Sequence, residues 1–263
     1  MVIIFIPIII LGVLGLLFGT GLAIASRKFA VEHDPRLNKI KELLPGANCG
    51  ACGKPGCEGL AEDILNGTAL PDKCRLAEEK IREEIAAIMG KKLEKKVKKI
   101  AVLHCNGGTR VKDSFLYHGI KDCIACNLVL GGPKECRYGC IGLESCIQSC
   151  PFFAITIQED AIPNVNKTAC KACNKCVQIC PKKLFGLIPI THTVYVACSS
   201  HDTGKETKNV CPVGCIACKR CEKTCRFDAI HVTDNLAVID YGKCTSCKEC
   251  VAVCPMKTIR VRE

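Results

Sequence analysis

The sequence predicts an α+β protein with a transmembrane helix at the N-terminus, a small and mostly helical four-cysteine domain, and a duplicated cysteine-rich module. Three observations lead to this fold class. The first residues are apolar and uncharged, 25 of the 263 residues are Cys, and the C-terminal part contains an internal repeat of about 75 residues. The predicted boundaries are 1–28 for the helix, 29–100 for the four-cysteine domain, and 101–194 and 195–263 for the two modules.

The segment from Val2 to Ala25 carries no charged residue. As a helix it spans about 36 Å, more than the roughly 30 Å hydrocarbon core of a bilayer, so it predicts an anchor in the cell inner (cytoplasmic) membrane. A signal peptide is the alternative, although no Lys or Arg precedes the apolar run. Arg27 and Lys28 follow it, which places the later domains on the cytoplasmic side. Gly15 and Gly19 form G-x-x-x-G, a spacing that lets a partner helix pack closely.

The cysteines fall in tight clusters and their number is odd. A pure disulfide framework would leave a thiol over, whereas thiolates that bind metal clusters persist in the reducing cytoplasm. The formal net charge of +11 would ordinarily suggest a nucleic acid or anionic lipid as partner. Five thiolate-bound [4Fe–4S] clusters would contribute about −10, and no nucleic-acid-binding motif accompanies the charge. Nucleic acid is therefore not a predicted partner.

Two segments, 170–181 and 244–255, have the spacing C-x2-C-x2-C-x3-C-P. In such a run three thiolates bind one [4Fe–4S] cluster, and the fourth, before the proline, binds the neighbouring cluster. Zinc prefers two separated Cys pairs and is the weaker alternative. Each module is therefore predicted to be ferredoxin-like, of the bacterial type, with two [4Fe–4S] clusters.

The second module has a nearly regular upstream run, in which Arg226 replaces the proline. Cys211 competes with Cys218 as a ligand, and the regular spacing favours Cys218. The predicted sets are Cys215, Cys218, Cys221 and Cys254 for one cluster, and Cys225, Cys244, Cys247 and Cys250 for the other.

The first module departs from this pattern, because Leu143 stands where the second copy has Cys218. The repeat aligns Cys136 with Cys211, so we expect Cys136 to supply the missing ligand. The predicted sets are Cys136, Cys140, Cys146 and Cys180, and Cys150, Cys170, Cys173 and Cys176.

A further set lies nearest to the predicted anchor, with the spacing C-x2-C-x4-C-x16-C, and consists of Cys49, Cys52, Cys57 and Cys74. Zinc fits this spacing taken alone, but the neighbouring ferredoxin runs favour a fifth [4Fe–4S] cluster. Helices are predicted over Pro35–Leu44 and Asp72–Met89, and a strand over Ile100–Leu103. The basic segment 91–99, KKLEKKVKK, predicts a solvated linker or a docking surface for an acidic carrier or anionic lipid.

Five cysteines remain outside these sets: Cys105, Cys123, Cys126, Cys198 and Cys211. The pair Cys123-x2-Cys126, together with Cys105, would supply three ligands to a sixth cluster, and ordinary buried thiols are the alternative. No histidine stands at ligand spacing, and no motif for nucleotide binding or haem attachment occurs. The sequence therefore predicts a carrier of electrons with no nucleotide site and no catalytic acid, base or nucleophile of its own.

The anchor, NCGACGKPGC with Cys74, CRYGCIGLESCIQSCPFFAI and the repeated runs together resemble the RnfB family of the Rnf electron transport complexes over essentially the whole chain. The resemblance implies an ion-translocating ferredoxin:NAD⁺ oxidoreductase that oxidises reduced ferredoxin, reduces NAD⁺ through a flavin-bearing partner subunit, and moves Na⁺ or H⁺. We expect the modules to collect electrons and the cluster nearest the anchor to pass them to a membrane partner.

Two alternatives belong to other functional classes. One is a related membrane complex that keeps a redox-sensing transcription factor reduced. The other is a non-redox binding module in which the cysteines hold zinc or form disulfides, and which would be colourless when purified.

Overall fold

A computed structural model describes residues 2–28, 34–93 and 97–262 of the chain. The predicted start of the four-cysteine domain at residue 29 and the middle of the basic segment 91–99 lie outside these ranges. Within them, helices and short antiparallel strands give the α+β fold class that the sequence predicts.

The first helix, α1, runs from Val2 to Lys28 and ends in Arg27 and Lys28. Its segment Ile10–Lys28 has a mean hydropathy of 1.7 and is not buried by the rest of the chain, which makes it a candidate membrane span. A Cβ atom built on Gly15 or Gly19 meets no atom within 4 Å. The glycine face of α1 therefore does not pack against the described part of this chain.

The four-cysteine domain is built from short helices whose apolar faces meet in one core. Ile40, Ile64 and Ile85, one from each α-helix, are fully buried there. Asp34 caps the first of these helices by accepting the N–H of Arg36 at 2.8 Å. The elements are α2 (Pro35–Leu43), α3 (Cys57–Leu65), a 3₁₀ helix (Pro71–Lys73) and α4 (Glu79–Ile88).

The helix predicted over Asp72–Met89 is wrong in its first half. The 3₁₀ helix ends at Lys73, and Cys74 has an extended backbone with φ −69° and ψ 118°. Its buried sulfur accepts backbone N–H groups from the two residues at 76 and 77, which turns the chain around the thiol. The apolar spacing correctly marks only the second half, α4.

In the first module, the outer strands β1 (Lys99–Leu103) and β4 (Phe185–Pro189) pair antiparallel, with Lys99 opposite Pro189. The strand predicted over Ile100–Leu103 is confirmed as part of β1, and its side chains are buried. A second antiparallel pair lies between them in sequence. The remaining elements are a 3₁₀ helix (Gly108–Arg110), α5 (Cys123–Leu128), α6 (Ser145–Gln148), β2 (Ile155–Ile157), β3 (Pro163–Val165) and α7 (Lys175–Ile179).

The second module repeats this plan. Its outer strands β5 (Val194–Val196) and β8 (Ile259–Val261) pair antiparallel, as do its inner strands. The remaining elements are α8 (Gly204–Val210), α9 (Arg220–Thr224), β6 (Ile230–Thr233), β7 (Leu236–Ile239) and α10 (Glu249–Ala252).

The two modules contact each other directly. His104 is half-buried, and its Nδ1 lies 2.7 Å from the carbonyl oxygen of Val196. Ser199 Oγ donates to the His104 carbonyl at 2.9 Å, and Arg260 donates to Asn106 Oδ1 at 2.6 Å. These contacts hold the ends of β1 and β5 close together.

Candidate metal centres

The cysteines gather around a small number of cavities. All 25 are free thiols, so the described part of the chain contains no disulfide. Three cavities of 340 to 360 Å³ are each lined by the four cysteines of one predicted set. We name these sets the Cys150 quartet (Cys150, Cys170, Cys173, Cys176), the Cys215 quartet (Cys215, Cys218, Cys221, Cys254) and the Cys225 quartet (Cys225, Cys244, Cys247, Cys250).

The backbone of each regular run curves around its cavity. In the run that starts at Cys215, the residues before and after the second cysteine, Ala217 and Lys219, have φ of 52° and 57°. The runs that start at Cys170 and Cys244 have positive φ at the same two positions. Because left-handed residues turn the chain sharply, three side chains that are close in sequence can point into one cavity.

In three of the four runs, the sulfur of the last cysteine accepts a backbone hydrogen bond. The N–H groups of Ala154, Leu184 and Ala229 donate to the sulfurs of the cysteines four residues earlier, at 3.4 to 3.5 Å. Such N–H groups stabilise a thiolate and tune the potential of a metal centre bound to it. The same device therefore recurs in both modules.

The fourth cavity, of about 390 Å³, differs from the sequence-based assignment. Cys123 lines it where Cys136 was expected, and Cys136 lies in another cavity. The backbone of the upstream run keeps its curvature, since Gly142 and Glu144 have positive φ around Leu143. Leu143 therefore removes a thiol without changing the loop, and helix α5 brings a replacement. The cavity is lined by what we name the Cys123 quartet: Cys123, Cys140, Cys146 and Cys180.

A fifth cavity lies where the two modules meet and has a volume of about 400 Å³. Two cysteines of the first module and two of the second line it. Cys211 lines this cavity, whereas Cys218 lines the cavity that contains Cys215. We name these four the junction quartet: Cys105, Cys136, Cys198 and Cys211. The backbone of Cys140 also borders this cavity.

The membrane-proximal set, Cys49, Cys52, Cys57 and Cys74, lies in the four-cysteine domain. Cys52 and Cys57 pack against the core that contains Cys74, and all three thiols lie within electrostatic range of one another. Asn48 Oδ1 accepts the N–H of Cys57 at 2.8 Å. The carbonyl of Cys49 accepts a hydrogen bond from Lys175 Nζ at 3.2 Å, so this set borders the loop of the Cys150 quartet.

Comparison with known proteins identifies the family. Models described as "Putative Fe-S cluster" and "4Fe-4S dicluster domain" match residues 44–76 and 214–258. The B subunit of the Na⁺-translocating ferredoxin:NAD⁺ oxidoreductase complex of Acetobacterium woodii is 46% identical over 97% of this chain and 77% of its own. The B subunit of the ion-translocating oxidoreductase complex of Methanosarcina acetivorans is 40% identical over 97% of both chains. The B subunit of the proton-translocating ferredoxin:NAD⁺ oxidoreductase complex of Clostridium ljungdahlii is 37% identical over 96% and 90%.

The chain belongs to the RnfB family of the ion-translocating oxidoreductase complexes. It is an iron–sulfur electron-transfer subunit of a membrane-associated oxidoreductase complex, with 4Fe–4S domains and one candidate membrane span. Other subunits of that complex are its partners.

The cavities of this RnfB chain fit clusters chemically. Burial raises the pKa of Cys146 and Cys176, in the first module, to about 12, and of Cys250, in the second, to about 11. Thiols that are crowded and buried in this way ionise only when a positive group compensates their charge. No group of three or more His, Cys, Asp or Glu among the described residues is arranged for a single metal ion. A core of several iron ions supplies the positive charge that these thiols need, and it does not require a site for a single metal ion.

Sequence reasoning missed Cys123 as a member of the quartet that contains Cys140. The available signal was the pair Cys123-x2-Cys126, which stands outside every regular run. Cys126, one turn further along α5, is fully buried and lines none of the five cavities described above.

Proposed function

We propose that this subunit takes single electrons from reduced ferredoxin and passes them to other subunits of the complex on the way to NAD⁺, in a reaction coupled to Na⁺ or H⁺ translocation. The observation that carries the proposal is the arrangement of the cysteine sets. They continue from one module to the next and reach the four-cysteine domain, which follows the candidate membrane helix in the chain.

Five clusters are proposed for this function. When bound, a [4Fe–4S] cluster supplies reversible one-electron transfer at low potential. Four clusters are assigned to the Cys225, Cys215, Cys123 and Cys150 quartets, and the fifth to the membrane-proximal set of Cys49, Cys52, Cys57 and Cys74. Relative to the sequence-based assignment, Cys123 replaces Cys136 as a ligand.

The chain's own groups position and tune these centres. The thiolates bind iron, and the backbone N–H groups that point at sulfur stabilise negative charge there. Helix α6 carries Cys146 of the Cys123 quartet and ends just before Cys150 of the Cys150 quartet. The thiols of Cys146 and Cys176 lie within electrostatic range. These two quartets are therefore adjacent, which supports transfer between them.

The step from the modules to the four-cysteine domain is supported by Lys175. This residue lies between Cys173 and Cys176, and its ammonium group donates to the carbonyl of Cys49 at 3.2 Å. A part-buried hydrogen bond between the two loops keeps the Cys150 quartet beside the membrane-proximal set. Electrons therefore leave this subunit through the four-cysteine domain.

The overall reaction requires two such electrons. Two reduced ferredoxins each lose one electron, and NAD⁺ with one H⁺ gains both to give NADH. We assign NAD⁺ reduction to a flavin-bearing partner subunit, and the iron–sulfur domains to the cytoplasmic side, since Arg27 and Lys28 follow the apolar helix. The names of the relatives include both a sodium and a proton pump, so either ion is compatible with this role.

The test is a Cys57→Ala variant of this subunit in the purified complex. We expect reduced ferredoxin to reduce the module clusters as in the wild type, and ferredoxin-dependent NAD⁺ reduction to be abolished. Rapid-freeze EPR reports the first reaction and NADH absorbance the second. Cys126→Ala serves as the control and should leave both unchanged. NAD⁺ reduction at the wild-type rate in Cys57→Ala would overturn the proposed order.

A further inference from the structure

The junction quartet has internal symmetry. Cys105 and Cys198 occupy equivalent positions in the repeat, and so do Cys136 and Cys211. The thiol of Cys105 lies within electrostatic range of the other three. The cavity they line, about 400 Å³, is close in volume to the 340 to 390 Å³ of the four other cysteine cavities. The junction is therefore built on the same scale as the cluster sites within the modules.

Each sulfur of the junction quartet accepts a backbone N–H. A neutral buried thiol has no need of such donors, whereas a metal-bound thiolate is stabilised by each of them. Two of these hydrogen bonds are equivalent in the repeat and measure 3.4 and 3.3 Å. The donors are Cys140 to Cys105, Cys215 to Cys198, Tyr138 to Cys136, and Val213 to Cys211.

Small residues preserve the space beside these sulfurs. A Cβ on Gly107 would lie 3.7 Å from Cys211 Sγ, 3.9 Å from Cys105 Sγ and only 2.8 Å from Val111 Cγ2. At Gly108, where φ is +52°, a Cβ would lie 2.0 Å from the carbonyl oxygen of Asp160. Glycine is thus required where the chain turns next to the cavity.

We propose that the junction quartet holds a further [4Fe–4S] cluster, which joins the clusters of the two modules into one electron path. The inference rests on the proposed function for its role in electron transfer, but the assignment of its four ligands is independent of that function. A single metal ion is disfavoured, because no group of three or more metal-ligating side chains among the described residues is arranged for one.

The junction quartet is hydrogen-bonded to a neighbouring quartet in each module, so a cluster here would lie between the clusters of the two modules. Cys140 donates its N–H to Cys105 Sγ while its own side chain belongs to the Cys123 quartet. Cys215 donates to Cys198 Sγ while its side chain belongs to the Cys215 quartet. One electron enters through one of these neighbours and one leaves through the other, with no bond made and no proton transferred. The electron comes from reduced ferredoxin.

The first test is iron and acid-labile sulfide per chain in the full-length protein, purified anaerobically in detergent. With the junction cluster, about 24 of each are expected; the five clusters of the proposed function alone give about 20. A count of about 20, or one zinc per chain beside 20 iron, would overturn the proposal. Neither count involves ferredoxin, so the result is independent of the proposed function.

The second test compares two variants of the same protein. Cys136→Ala combined with Cys211→Ala removes one ligand from each module, and Cys126→Ala removes a buried thiol that lines no described cavity. We expect a loss of about four iron and four sulfide in the double variant and no loss in the control. Unchanged iron in a folded double variant would refute the assignment, and the wild-type count decides the matter if that variant does not fold.

A third measurement addresses the path itself. Rapid-freeze EPR after mixing with reduced ferredoxin should show both modules reduced in the wild type. In the Cys136→Ala/Cys211→Ala variant, one module should be reduced at the wild-type rate and the other at least tenfold more slowly. Equal rates in both modules of a variant that has lost the junction iron would overturn the linking role.

Discussion

Cys123 and Ser145 are joined by a hydrogen bond in which the backbone N–H of Cys123 donates to Ser145 Oγ at 2.7 Å. Ser145 Oγ in turn donates to Asp122 Oδ2 at 2.8 Å. The other carboxylate oxygen of Asp122 accepts two N–H groups in the first turn of α5 and caps that helix. This short network fixes α5 against the upstream run of the first module, and so fixes the thiol that replaces the one missing at Leu143.

The first prediction concerns the two cysteines of α5. Cys123→Ala should remove about four iron per chain, because its thiol lines the cavity of the Cys123 quartet. Cys126→Ala should keep all the iron, since Cys126 is buried outside the five cavities described above. Iron and sulfide analysis of the two purified variants decides this. Full iron content in Cys123→Ala would restore Cys136 as the expected ligand.

The second prediction concerns Ser145, which is 5% exposed. Ser145→Ala leaves the N–H of Cys123 without its acceptor and should destabilise the first module by about 1–3 kcal/mol. We expect faster loss of iron to a chelator than in the wild type, followed by the decay of visible absorbance. Ser149→Ala is the matched control: this serine lies at the end of α6 and donates only to the Cys146 carbonyl at 3.0 Å. Equal decay rates in the two variants would contradict the role of the network.

The sequence could predict a site where its cysteines are close together in the chain, and could not where a contact between distant residues positions a cysteine. The Cys215 and Cys225 quartets lie together as expected, because the spacing of a run and its short left-handed turns determine where its thiols point. Leu143 indicated that a ligand was missing, but not which cysteine replaces it. That choice depends on the hydrogen bond between Ser145 and a residue 22 positions earlier, which no local pattern reveals.

The junction quartet shows a second limit. The repeat alone pairs Cys136 with Cys211 and Cys105 with Cys198. It does not say that the two pairs face each other, because that depends on how one module packs on the other. In the four-cysteine domain the spacing of apolar residues identified α4. The extended backbone at Cys74 was missed, because it depends on hydrogen bonds to a buried sulfur and not on the spacing of apolar residues.

The third prediction concerns the contact between the first module and the four-cysteine domain. Lys175→Met removes the hydrogen bond to the Cys49 carbonyl and should slow ferredoxin-dependent NAD⁺ reduction by the complex about tenfold, with the iron content unchanged. Lys171→Met is the control, because Lys171 borders the same cavity and its replacement removes the same charge. If both variants slow the reaction equally, charge and not the contact is responsible.

The fourth prediction concerns Arg262, at the end of the chain. Its Nη2 donates to the carbonyl of Ile190 at 2.8 Å, while Nε and Nη1 are buried and have no partner among the described residues. The guanidinium lies within electrostatic range of Cys170. A nearby cation favours the more negative, reduced form of a cluster, so Arg262→Gln should lower the midpoint potential of the centre held by the Cys150 quartet.

An EPR-monitored redox titration measures this change, and Arg262→Lys, which keeps the charge, should retain most of the wild-type potential. A potential that is the same in Arg262→Gln as in the wild type would show that the guanidinium does not act on this centre.

The pairing of β1 with β4, and of β5 with β8, brings the beginning and the end of each module side by side. A chain that enters and leaves a folded unit at the same place can accept a further unit there without disturbing the ones already present. The length of the electron path can thus be changed by adding or removing whole modules, through duplication of a gene segment or by design. Each added module contains its own cysteine-bearing loops.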